Sequence, residues 1–168
     1  LMIHKCSGRC LLLILGIVLV GTGCDLGSGA SLTPTLDTSE EAAILTRPLR
    51  LFVVRSYGEE DPWSNRVRAG ILEKLAQSGY DRASETLVLG EFALQVEQLS
   101  NPTAVEVRVD AAIRSIQAFD ADLVIVVDDE AARWVIREYP DPQLFVFCGL
   151  NSTAWELGLD RPDVAGVS

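Results

Sequence analysis

Downstream of Pro48, short apolar runs rich in β-branched residues alternate with stretches of helical period, and this alternation restricts the fold more than any other feature. Leu49 to Val54 (LRLFVV) reads as a strand, followed by Ser64 to Ser78, where Val67, Ile71, Leu72 and Leu75 share one helical face before Gly79 stops the helix. Glu85 to Phe92 (ETLVLGEF) predicts a second strand. Val105, Val109, Ala112, Ile113 and Ile116 predict a second helix over 103–118, with Thr103 and Glu106 at capping-box spacing. Leu123 to Val127 (LVIVV) and Leu144 to Cys148 (LFVFC) are apolar on both faces, as in the buried middle of a parallel sheet. Between them, Asp129 to Tyr139 predicts a third helix ended by Pro140, and Val164 to Ser168 opens a fifth strand. Strand and helix in alternation, joined by short loops, require right-handed crossovers. The expected class is therefore α/β, a three-layer sandwich with a parallel sheet.

The first 23 residues have a different character. Lys5 and Arg9 precede an apolar stretch from Leu11 to Gly21, and the small residues Gly21, Thr22 and Gly23 lead to Cys24. This is the layout of a secretory signal peptide. Its 11 apolar residues reach only about 16 Å as a helix, against a hydrocarbon core of roughly 30 Å, so a permanent span is disfavoured. Leu19 to Cys24 (LVGTGC) resembles a bacterial lipobox, which implies acylation of Cys24 and a tether to the membrane without a span. An ordinary signal peptide with a cysteine near its cleavage point is the alternative. Residues 24–48, rich in Gly, Ser, Thr, Pro and acids, read as a flexible linker.

Charge and residue usage narrow the chemistry. The net charge is −10, and setting aside the two bases of the signal segment leaves 12 Lys and Arg against 24 acids. Such a surface repels phosphate backbones, so no nucleic-acid partner is expected. The sole histidine is His4, and three of the four cysteines, Cys6, Cys10 and Cys24, precede the folded part. The domain thus has no His for a triad or a metal site, and Cys148 stands alone at the end of an apolar strand. No glycine-rich nucleotide fingerprint stands at a strand–helix junction. No cofactor, metal or catalytic residue is expected.

In parallel α/β sheets, ligands sit outside the carboxyl ends of the strands. The residues there are Ser56, Tyr57 and the acids up to Trp63 after strand one, Asp128, Asp129 and Glu130 after strand three, and Gly149, Leu150, Asn151, Ser152 and Thr153 after strand four. Hydroxyls, an amide and aromatic rings beside helix starts can grip a small polar molecule, although Ser64 and Asp129 also fit as simple N-caps, and Pro62 with Trp63 as a staple. The acidic pair after strand three is also a feature of response-regulator receivers. Those require acids at the end of strand one and a late lysine, whereas this strand ends Arg55-Ser56 and the last lysine is Lys74.

Several stretches taken in order carry a family resemblance. Tyr57 to Trp63 (YGEEDPW), Gly70-Ile71-Leu72, Ser78-Gly79-Tyr80, Ala121 to Val126 with Asp128 to Arg133, Phe147 to Asn151 (FCGLN) and Arg161 to Ser168 (RPDVAGVS) resemble the ABC transporter substrate-binding proteins of the type 1 periplasmic-binding fold. The resemblance spans residues 49–168 and implies the N-terminal lobe of a two-lobed clamshell, of flavodoxin-like topology, with the C-terminal lobe missing; a fragment of a longer protein is the expected reason and a truncated gene the alternative. It also implies a small solute as ligand, with Ser56, Tyr57, Trp63, Asp128, Asp129, Gly149 and Asn151 as contact positions. The implied partner is an ABC permease, or a sensor kinase or cyclase where such a lobe serves sensing. Extracytoplasmic location with lipid anchoring at Cys24 completes the expectation. The acids beside Tyr57 and Trp63 point to an amine- or hydroxyl-bearing solute. An exported flavodoxin-like enzyme is the third reading, and it would need a bound chromophore or metal.

Overall fold

Residues 47–167 are described by a computed structural model. The signal peptide, Cys24 and nearly all of the linker lie outside the described residues, as does Ser168. Each β-branched run forms a strand: β1 Leu49–Arg55, β2 Leu87–Ala93, β3 Leu123–Val127, β4 Phe145–Cys148 and β5 Val164–Val167. They build one parallel sheet in the order β2-β1-β3-β4-β5. This is the flavodoxin-like order, whose switch point lies between β1 and β3.

Helix α1 (Pro62–Gln77) lies on one face of the sheet. Its Val67, Ile71 and Leu75 pack on Leu49, Leu51, Val53, Ile125 and Val127. Strand residues of the opposite parity, Phe52, Val54, Val124, Val126, Phe145 and Phe147, meet Val109, Ala112, Ile113 and Ile116 of α2 (Pro102–Phe119) and Val135 and Ile136 of the third helical segment. The two clusters give the three layers, because a pleated strand sends alternate side chains to opposite faces. Leu51, Val54, Val124, Val126, Val127 and Phe145 are completely buried. Each such side chain contributes about 1.5–3 kcal/mol of burial, which fixes the register and holds the strand ends at one level.

Element boundaries depart from the sequence expectation where capping decides them. Helix α1 starts at Pro62, two residues early, because Asp61 is the N-cap and its carboxylate accepts from Ser64 N at 2.6 Å. Ser64 is thus a buried first-turn residue, not the cap. Asn101, not Thr103, caps α2, accepting from Ala104 N at 2.9 Å. Strand β2 begins at Leu87 because Glu85 has φ 58°, a left-handed conformation that breaks the ladder. The third helical segment, α3 (residues 129–138), is only briefly regular: after Asp129–Ala131 it widens into a π-turn over Ala132–Ile136. Among the described residues, no helix is long and apolar enough to cross a membrane.

Candidate functional site

Three strands bring their carboxyl ends together at the switch point, and the main chain joins them. Ser56 N donates to Val127 O (3.3 Å), and Asp128 N donates to Cys148 O (3.1 Å). Ser56 is buried, and its hydroxyl accepts from Ala131 N at 2.9 Å, fastening the end of β1 to the first turn of α3. Beyond β2, the turn that bears Gln95 in a left-handed conformation is held by Arg108. Its guanidinium donates to Ala93 O, Leu94 O and Gln95 Oε1 and lies over the Phe92 ring. Glu97 of the same turn accepts from Gly58 N at 3.3 Å, tying the β1–α1 loop to the end of β2.

Asp128 is the central residue of this edge. Its backbone sits at φ 78° and ψ 164°, a region populated almost only by glycine. The side chain is 3% exposed; Oδ1 lies 3.5 Å from Asn151 Nδ2, and Oδ2 has no hydrogen-bond partner. Burial, reinforced by the neighbouring Glu130 carboxyl, pushes the Asp128 carboxyl up to about 6, against the opposing pull of Ser56 and the Asp129 amide. The half-buried Tyr57 faces the same acids. Its phenol is pushed up first by burial and then by Asp128, Glu130, Asp61 and Glu97, so it remains a hydrogen-bond donor in a negative surround.

Asp129 does a different job from its neighbour. It accepts from Asn151 N (2.8 Å), Ser152 N (3.1 Å) and Ser152 Oγ (2.7 Å), clamping the loop after β4 onto the start of α3. Burial works to raise its carboxyl, but these hydrogen bonds and Arg133 hold it below the ordinary carboxylate range. Asp129 is thus committed to the scaffold, and its free lone pairs are few. Gly149, at φ 71°, is packed beneath Trp63: a Cβ there would lie 2.9 Å from the Trp63 Cη2. Instead of stapling its own helix, Trp63 reaches across the sheet edge from α1 to the end of β4. Asn151 is exposed, with its amide turned toward Asp128.

Of the sequence-predicted residues, the structure gathers Ser56, Tyr57, Asp128 and Asn151 at one point and joins Trp63 to Gly149 beside them. Arg55 did not stand out in the sequence. It is 4% exposed, donates from Nη1 to Asn65 Oδ1 (3.0 Å), leaves Nε without a partner, and makes no ion pair among the described residues. The signal for it was parity: Leu51, Val53 and Arg55 alternate onto the buried α1 face. Glu130 and Ser152 stand in the strand-end loops that the sequence marks, whereas Glu97 was invisible without its loop contact to Gly58 N. Cys148 is pushed up to about 11 by burial, which leaves a protonated, unreactive thiol at neutral pH. Among the described residues, no three His, Cys, Asp or Glu side chains are grouped to hold a metal. The edge can accept a positive or hydroxylated group by hydrogen bonding and stack an aromatic or apolar one on Trp63.

Neither protein-family models nor curated proteins match this sequence. Solved structures do. A conserved domain protein from Vibrio cholerae superposes with a TM-score of 0.59 at 17% identity, over 73% of this chain and 39% of its own. An ABC domain from Streptococcus pneumoniae in complex with L-Trp gives 0.57 at 17% identity, over 72% and 38%. A ligand-free, open substrate-binding protein with adhesive properties from Clostridium difficile gives 0.57 at 15% identity, over 71% and 38%. The fold is that of a substrate-binding-protein lobe. At these identities the likeness concerns the fold, and the matched part of this lobe spans about two-fifths of the length of each structure it matches. Within the lobe, the crest of the sheet holds the strained Asp128 and the Trp63–Gly149 contact.

Proposed function

We propose that this chain is the solute-binding component of an ABC importer, holding a small amine-bearing organic solute at the crest of its sheet and releasing it unchanged. The observation that carries the reading is Asp128, a buried carboxylate with one unpartnered oxygen and a glycine-like backbone, at the switch point of a parallel sheet. Positions that cost stability without a structural return cluster at binding sites. Tyr57 and Asn151 supply directed hydrogen bonds beside it, and Trp63 supplies an apolar platform. The acidic surround favours an ammonium group over an anion. The L-Trp complex of the pneumococcal ABC domain supports this solute class by analogy of fold.

In this reading the protein is exported, and acylation of Cys24 tethers it to the membrane, with residues 24–48 as the linker and a permease as the partner. These residues form one wall of the solute cleft, which a second lobe closes. The role is binding without catalysis. Titration calorimetry on the full-length protein with amino acids, simple amines and inorganic anions tests the proposal. Binding of an amine-bearing solute, strongly weakened in Asp128→Asn, is expected. Tight binding of phosphate or sulfate with no amine bound would refute it.

A further inference from the structure

Arg55 and Asp128 occupy neighbouring strands on either side of the switch point, carry opposite charges, and do not meet. In the β1–β3 ladder Arg55 lies opposite Val127, the residue before Asp128. The Arg55 side chain leaves on the α1 face toward Asn65, whereas the Asp128 carboxylate lies toward Asn151. The acid nearest to Arg55 in the sheet pattern is Glu91 of β2, one pleat back on the same face, opposite Val53. Glu91 is already paired with Arg68 of α1 at 2.5 Å. Among the described residues the one hydrogen-bond partner of the guanidinium is neutral: Asn65 accepts from it and donates in turn to the Glu59 carbonyl at 2.6 Å.

A buried guanidinium with an idle Nε and no counter-ion among the described residues is an expensive group to keep, because desolvation is offset only when hydrogen bonds and opposite charge surround it. Arg55 terminates β1 at the sheet edge where ligands bind, and its one partner, Asn65, is an exposed residue of the first turn of α1. On this basis, and resting on the solute-binding reading above, we propose that Arg55 binds an anionic group of the solute, a carboxylate, so that the solute is a zwitterion with its ammonium toward Asp128. A molecule with both charges completes two unfinished sites at once, and a fork-shaped guanidinium matches a carboxylate in geometry.

The test is calorimetric titration of the full-length protein, wild type, Arg55→Lys and Arg55→Met, with the twenty L-amino acids and their amides, which keep the amine and side chain but lose the anionic charge. For the amino acid that binds, the amide is expected to bind at least about tenfold more weakly. Arg55→Met should erase that preference and Arg55→Lys should keep part of it. An amide that binds as tightly as its parent acid overturns the assignment while leaving the solute-binding reading intact, as does a preference that survives in Arg55→Met. Failure of every acid, amide and amine to bind overturns both. If Arg55→Met does not fold, the acid-to-amide ratio in wild type and its reduction in Arg55→Lys decide the matter.

Discussion

Asp128 and Gly149 have backbone conformations foreign to most residues, but only one of them is a glycine. At Asp128, φ 78° with ψ 164° costs on the order of 1–3 kcal/mol for a residue with a Cβ. Asp128→Gly should therefore stabilise the lobe by about 1 kcal/mol net of glycine's own entropy cost, while abolishing solute binding. Urea unfolding with parallel calorimetry would show the two effects in opposite directions. Asp128→Asn separates charge from strain. With its carboxyl at about 6 in the folded state, against roughly 3.9 in an unfolded chain, Asp128 holds its proton more tightly when folded. Its contribution therefore favours folding below about pH 4 and is lost as pH rises through about 6. Asp128→Asn should flatten that segment of the stability profile and gain most relative to wild type above about pH 6. At Gly149 both φ and the Trp63 ring oppose a side chain. Gly149→Ala should cost about 2–3 kcal/mol by thermal or urea unfolding, and adding Trp63→Ala should return only the steric share.

At the scale of elements, the strands were legible because a run such as Leu123–Val127 is apolar on both faces, and only the middle of a parallel sheet buries both. The helices α1 and α2 were legible from period, though their true caps, Asp61 and Asn101, sit just outside the periodic stretch. The π-turn over Ala132–Ile136 was not legible, because one extra residue in a turn leaves the apolar period of so short a helix almost unchanged. The gathering of the candidate residues at the edge after β1, β3 and β4 was readable from topology. The division of labour within it was not: Asp128 and Asp129 are adjacent and chemically identical in sequence, and only the loop after β4 makes one a clamp and leaves the other unsatisfied. Arg55 was missed because a single charged residue at the end of an apolar run reads as a strand terminus. The clamp itself is testable. Asp129→Ala removes the acceptor of three donors on Asn151 and Ser152 and should cost about 1–3 kcal/mol. Hydrogen exchange should rise selectively over residues 149–153, with the amides of β1 and β3 protected as before. Uniform loss of protection would mean that Asp129 supports the whole sheet.

For the whole molecule, the proposed solute binding ties affinity to acidity through the electrostatics of the crest. Asp61, Glu97, Asp128 and Glu130 surround Tyr57, and the chain as a whole carries a net charge of −10, so the crest is negative at neutral pH. An ammonium bound there competes with the proton for Asp128, whose value of about 6 places that competition within reach of ordinary buffers. Because binding uses the ionised carboxylate, affinity should be flat above about pH 7 and fall on acidification, approaching about tenfold per pH unit well below pH 6. The solute's own ammonium does not titrate in that window, so the slope reports the protein alone. Asp128→Asn should show weak affinity with little slope, and Glu130→Gln should move the onset to lower pH by removing the neighbour that raises the Asp128 carboxyl. Calorimetry in buffers of different ionisation enthalpy measures the linked proton directly: near pH 6, binding should release a proton from Asp128. Proton uptake on binding, or affinity that rises as pH falls, would place the ammonium elsewhere on the crest.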